Sequence, residues 1–337
     1  MTYQKYGQIA ASDYNGYTGA INSTLANKLN TILGVGNGIK GWGQTTVSTA
    51  AVVPEVVGND ASYQITAVQW NALINGISKS ALHQGSTITA IGLDSAGELI
   101  SAAMTAGASP QSIFANNLVS IYTNKNNCAA QGATTSDTRT QTTAWSQKVT
   151  FSFSLTFASA DRARYFFNAG GQVSFNFSHP NGSGVNGLWS DLATACGTVT
   201  FSAPNNGSVT IAGLVFNGVT KTNGTGTAQI NSNYGYYALS AVDQGIFTQV
   251  ATVGPAGYVG SNITIAARSN GVQGINGDCG NIITFTIEWD QIPDGGSTAL
   301  GTAAPGTTTT CTVKPPGTTY IDNTWGTPLL SGYVNGI

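Results

Sequence analysis

From Val149 to Phe157 every second residue is apolar: Val149, Phe151, Phe153, Leu155 and Phe157, with Thr, Ser, Ser and Thr between them. Side chains that alternate with period two belong to a strand with one face on a core and one face away from it. The same alternation returns at Val173, Phe175 and Phe177. The residues between the two runs read differently. Ser159 is a good helix cap, Asp161 suits a first turn, and Gly170 can take the left-handed conformation that ends a helix. The local unit is therefore strand, short helix, strand. Its helix carries Tyr165, Phe166 and Phe167 in succession, and three consecutive residues cannot share one helical face. At least one must meet another element. The segment Arg164, Tyr165, Phe166, Phe167, Asn168, Gly170, Gly171 is expected to be a wedge in the core, with the Arg164 guanidinium bonding to nearby carbonyls or stacking on a ring.

The rest of the second half follows the same pattern. Candidate strands are 148–157, 172–178, 197–203, 207–216, 227–231, 236–240, 246–252, 262–268 and 281–289, punctuated by Gly and Asn as in Asn205-Asn-Gly207. Short strands at this spacing predict an antiparallel β-sandwich over 145–292. Leu188 to Leu192 reads as a helical turn crossing between sheets. The Pro-, Gly- and Thr-rich residues 293–337 read as an extended C-terminal arm anchored by Tyr320 and Trp325.

The first third is helical. Tyr14, Tyr17, Ile21, Leu25, Leu29 and Ile32 form one stripe within a helix over 12–33. Trp70, Leu73, Ile74, Ile77 and Ala81 form another over 66–82, opened by Thr66 and Gln69 as a capping box. The two look like copies offset by 56 positions, with Ile9–Asn15 aligning on Ile65–Asn71 and Ile21 on Ile77. A duplicated amphipathic helix packs on its twin or on another subunit, so Tyr14, Tyr17, Ile21, Leu25, Trp70, Leu73 and Ile77 are candidate assembly residues. Ser109-Pro110 opens a third helix that runs to about Tyr122. The predicted fold class is α+β: a helical attachment or oligomerisation region at 1–125, a linker at 126–144, the sandwich, and the arm.

Few residues are suited to chemistry. Charged side chains make up 8% of the chain, where about 25% is usual, and the net charge is −2. There is no basic run for nucleic acid, no apolar stretch long enough for a membrane span, and no visible secretory signal. Gly36 to Gly41 matches GxGxxG as a string but lacks the strand before it and the helix after it. Cys128, Cys196, Cys279 and Cys311 have no metal-ligand spacing and are expected to be buried or isolated thiols, with disulfides as the other reading. His83 and His179 are expected at turns or on the surface. Glu288 and Asp290 flank Trp289 on one strand and share a face, the arrangement a glycosidase cleft would need, although a solvated face is the plainer reading. Tyr234, Tyr236, Tyr237 and Tyr258 could stack on sugar rings if exposed; packing under loops is the alternative. No cofactor, metal site or catalytic residue is predicted.

The segment Arg164–Val173, RYFFNAGGQV, resembles a sequence in virion structural proteins of tailed bacteriophages, especially fibre-like or connector-like proteins of phages that infect cyanobacteria. Tyr6–Asn15 and Lys314–Gly326 resemble the same group, and the order of the three patches suggests similarity from end to end. The resemblance implies a non-enzymatic structural component made and assembled in the host bacterial cytoplasm, most simply a tail, baseplate or neck fibre or fibre-connector. Its implied partners are itself, with a trimer favoured by analogy with fibres, and other virion proteins. A host-glycan-binding receptor module and a head-surface or tube-associated component are the alternatives.

Overall fold

The alternating run is strand β2 of the structure, and its inward side chains are fully buried. The computed structural model describes residues 14, 29–34, 41–47, 66–93, 110–203, 210–211, 214–215, 217–252, 258–271, 279–293 and 301–336. Its helices are α1 (Leu29–Leu33), α2 (Ala67–Gln84), α3 (Pro110–Thr123), α4 (Ala160–Asn168) and α5 (Val185–Cys196). Its strands are β1 (Thr135–Thr140), β2 (Lys148–Thr156), β3 (Gln172–Ser178), β4 (Thr198–Phe201), β5 (Thr210–Ile211), β6 (Leu214–Val215), β7 (Val219–Thr222), β8 (Gln229–Ile230), β9 (Gln244–Val250), β10 (Asn262–Ser269), β11 (Ile282–Asp290), β12 (Thr308–Lys314) and β13 (Leu329–Gly336). The fold is α+β, with two antiparallel sheets stacked as a sandwich.

One sheet has five strands in the order β1-β12-β3-β4-β7, and the other has six in the order β13-β2-β11-β10-β9-β8. Period-two alternation sends Phe153, Phe285 and Ile265 inward from the six-stranded sheet and Phe175, Val199 and Phe201 inward from the other. The rings interlock between layers: Phe175 lies 5.0 Å from Phe285, and Phe201 lies 5.2 Å from Phe285. Each fully buried ring contributes about 1.5–3 kcal/mol through removal of apolar surface from water. The outward residues are small and mostly hydroxylated. Ser136, Thr138 and Thr140 bond side chain to side chain with Thr312, Thr310 and Thr308 at 2.8–3.0 Å.

A helix closes each end of the sandwich. At the end where β2 finishes, α4 inserts Phe166 and Phe167 against Phe157, at 5.3 and 6.3 Å. At the other end α5 sets Trp189 5.7 Å from Trp289 and 5.0 Å from Trp145. Because α5 joins β3 to β4, neighbours in one sheet, it does not cross between sheets as the sequence reading had it. It still touches both layers, packing on β3 and on β9 and β10.

Several expected boundaries move. The predicted linker, 126–144, contains β1, which pairs along its whole length with β12. The predicted arm contains β12, which lies between β1 and β3, and β13, which pairs with β2 from Leu329↔Thr156 to Gly336↔Val149. Thr-rich composition concealed β12, and Gly332, set against the Phe153 ring, breaks the alternation of β13. Residues 236–240, read as a strand, begin with a 3₁₀ turn at Tyr236–Ala238, and β7 was not foreseen. The helical part and the sandwich contribute to one contiguous buried cluster instead of meeting at a linker.

Among the helices, α2 has the predicted capping box: the Thr66 hydroxyl accepts from Gln69 N, and Gln69 Oε1 accepts from Thr66 N. The aligned aromatics of the apparent duplication touch, with Tyr14 and Trp70 6.3 Å apart, and Trp70 also packs on Phe114 of α3 at 4.9 Å. Tyr14, Trp70, Leu73 and Ile77 are all buried within the chain. These four are therefore covered without a second subunit, contrary to their expected role as assembly contacts. Tyr17, Ile21 and Leu25 lie outside the described residues.

Candidate functional site

The densest meeting of polar and aromatic groups is at α4. The Ser159 hydroxyl accepts from Arg162 N at 3.3 Å, Asp161 occupies the first turn, and Gly170 leaves the helix at φ +92°. Gly171 follows because a side chain there would come within 2.5 Å of the Phe166 ring. The successive aromatics diverge as expected. Phe166 and Phe167 enter the sandwich, where Phe167 stacks on Tyr236 at 4.6 Å with the planes 16° apart. Tyr165 turns toward the segment 41–47, against Gly43, whose φ of +68° and close ring contact both exclude a Cβ.

Arg164 is buried, and its Nη2 donates to Asp161 Oδ1 at 2.7 Å while its guanidinium carbon sits 4.9 Å above the Tyr165 ring. Ring stacking was one of its two expected roles; the carboxylate of its own helix was not expected. Asp161 is 54% exposed, so removing the arginine strands no buried anion. Arg164→Ala is therefore expected to cost about 2 kcal/mol, mainly through lost packing, and Arg164→Met to restore most of it. Urea denaturation of the two variants checks this; equal stability of wild type and Arg164→Ala would remove the residue's structural role.

Three distant segments converge on the end of α4. Trp42 Nε1 donates to Asn168 O at 2.9 Å and to Lys125 O at 3.0 Å. Asn168 Nδ2 donates to Gly41 O at 2.9 Å, and its Oδ1 accepts from the Tyr237 hydroxyl. The Gln44 amide donates to Asp322 O and accepts from Asp322 N, both at 2.8 Å, and Arg162 Nη1 donates to Thr324 O at 3.0 Å. The segment around Trp325 is thus tied to the 41–47 strap and to α4.

His83 belongs to this cluster and is buried in the last turn of α2, not at a surface turn as expected. Its Nε2 lies 2.8 Å from Ala169 O, so Nε2 carries the proton and donates, and the ring meets Trp42 edge-on at 4.9 Å. Burial lowers its pKa to about 4 from an ordinary 6.5, and the bond to Ala169 only partly opposes that. The folded protein favours neutral His83, so the unfolded chain takes up the proton first as the pH falls. Stability should be lost between about pH 6.5 and 4, on the order of 3 kcal/mol. Comparing wild type with His83→Gln in denaturant at pH 7 and pH 4.5 isolates this contribution; parallel pH profiles would refute it.

His179 is also buried, which the sequence reading missed. Trp145 Nε1 donates to Thr307 Oγ1 at 2.8 Å, leaving the Thr307 hydroxyl to donate to His179 Nδ1 at 2.9 Å. His179 Nε2 then donates to Asn186 Oδ1 at 3.1 Å, which also accepts from Ala304 N at 2.8 Å. A hydroxyl, an imidazole and an amide in line resemble a catalytic relay, but Thr307 is 0% exposed. The relay ties α5 to the approach to β12.

The remaining candidates separate. Glu288 and Asp290 do share the outward face of β11, with Lys148 of β2 beside them at 3.0 and 3.9 Å. The bond to Glu288 is the main cause of a raised Lys148 pKa. The pair is the solvated sheet surface of the plainer reading. Tyr236 and Tyr237 are buried and Tyr234 and Tyr258 half-buried, so the four tyrosines do not form a sugar-stacking platform. Cys128, Cys196, Cys279 and Cys311 are buried thiols, and burial pushes Cys196 up to about 12. No cluster of potential metal ligands occurs among the described residues, and no described helix is long and apolar enough to cross a membrane. A cleft of about 230 Å³ lies beside Pro315, Pro316, Trp325 and Pro328, with no charged residue in its lining.

A scan against models of protein families finds no match for this chain, and neither do comparisons with curated proteins and with solved structures.

Proposed function

We propose that this chain is a non-enzymatic structural component of a tailed-phage virion, a tail, baseplate or neck fibre or fibre-connector that assembles with itself and with other virion proteins. The observation that carries the reading is the three-patch sequence resemblance. Two of those patches also meet in space: Lys314, the first residue of the C-terminal patch, pairs with Gln172 of RYFFNAGGQV across β12 and β3. The residues most suited to catalysis support it as well, since both histidines and the Glu288/Asp290 pair are engaged in internal bonds. Largely hydroxylated sheet faces with few charges suit contact with other proteins, because interface cores are depleted in charge. Tyr14, Trp70, Leu73 and Ile77 are buried within the chain, so the proposed assembly uses other surfaces.

The reading is tested by an antiserum against the purified chain, applied with gold to virions and viewed by negative-stain microscopy. Labelling at one place on the particle is the expected result. Protein found only free in the lysate, with bare particles, would overturn it.

A further inference from the structure

The outward face of the six-stranded sheet has an uneven relief that its register makes explicit. One row crosses five strands as Tyr333, Ser152, Thr286, Ala266 and Gly245, on β13, β2, β11, β10 and β9. Its two ends are opposites. Tyr333 is 63% exposed, and Leu329, four residues earlier on the same face of β13, is 67% exposed. At the other margin Ala266 and Gly245 present almost no side chain, and a Cβ added at Gly245 would meet nothing within 4 Å. The middle strand of the five is β11.

We infer that this face binds a second copy of the same chain, through a two-fold axis running along β11. Such an axis reverses the strand order, so Tyr333 of each copy falls over Gly245 and Ala266 of the other. Thr286 and Thr284 then face their own twins. Charge weighs on one end only: Glu288 and Asp290 also lie on β11 and face their own twins, with a single Lys148 per copy beside them and so a net charge of about −1 per copy there, while Arg268 and Asp243 on the flank cancel. A strongly charged partner finds no complement here. The area suffices. Five strands roughly 4.8 Å apart and about four outward rows roughly 6.7 Å apart span some 600–700 Å² in projection, and side-chain relief brings this near the ~800 Å² per partner of a stable interface. Within the row Ser152 is buried and Thr286 half-buried, while Tyr333 stands exposed at the margin.

The proposal rests on the assembly reading above, and the experiment separates the two. Full-length protein is compared with Tyr333→Ser by sedimentation over a range of concentrations, with melting temperature as the check on folding. Tyr333→Ser should weaken self-association roughly tenfold or more and leave melting unchanged. Thr286→Cys should give a disulfide-linked dimer on mild oxidation, since the native cysteines are buried, and Thr200→Cys on the opposite sheet should not. Thr284→Cys serves if Thr286→Cys fails to fold. An oligomer that ignores Tyr333→Ser and fails to cross-link overturns this face and leaves the virion reading standing. A monomer at every concentration overturns both.

Discussion

Phe167→Ala is expected to cost about 3–5 kcal/mol, a large share of what holds a domain together. The ring is fully buried and touches Phe157, Phe166, Phe201 and Tyr236. Those neighbours come from the residue after β2, from α4, β4 and the 3₁₀ turn, so no single shift can close the space that alanine would leave. Denaturant titration followed by tryptophan fluorescence measures the loss. Val68→Ala, at a site 79% exposed on α2, should stay within about 0.5 kcal/mol and serves as the control. Equal effects at the two sites would mean that α4 is not the plug its packing indicates.

The role of α4 was legible because its signals are local and agree with one another. A cap, an acidic first turn, a terminal glycine and three adjacent aromatics between two alternating runs leave little freedom. Lys148–Thr156, Gln172–Ser178 and Ile282–Asp290 were legible for the same reason, large apolar residues at period two. The misses share a cause as well. In Thr308–Lys314 the inward residues are Thr309, Cys311 and Val313, which sequence alone does not separate from the threonines facing outward. Leu329–Gly336 carries a glycine at Gly332 because the Phe153 ring lies against it, and that glycine breaks the alternation. His83 and His179 were misplaced because partners far along the chain bury them: Trp42 and Ala169 for one, Thr307 for the other. The relief of the outward face was out of reach too, since Tyr333 and Gly245 share a row only once β13, β2, β11, β10 and β9 have taken their register.

Ending the chain at Pro328 separates a dispensable arm from a structural strand, and it should abolish folding to the native state. An arm lying on the surface could be removed at a cost of about 1 kcal/mol or less. Strand β13 is different: it pairs with β2 from Thr156 to Val149, and Gly332 lies against Phe153. Without it the backbone groups along that side of β2 lose their partners, and an edge strand carrying Phe151, Phe153 and Leu155 becomes a template for other chains. The half-buried Leu330 and Val334 go as well, from the margin of the core. A lost ladder, uncovered aromatics and a new sticky edge together approach the 5–15 kcal/mol that holds an ordinary domain folded. The truncated chain should therefore be recovered mainly as aggregate, and any soluble fraction should lack the near-ultraviolet circular dichroism of packed aromatics. Tyr333→Ser, on the outward face of the same strand, should leave that spectrum intact. A soluble truncated protein with an unchanged spectrum would return residues 329–336 to the status of an arm.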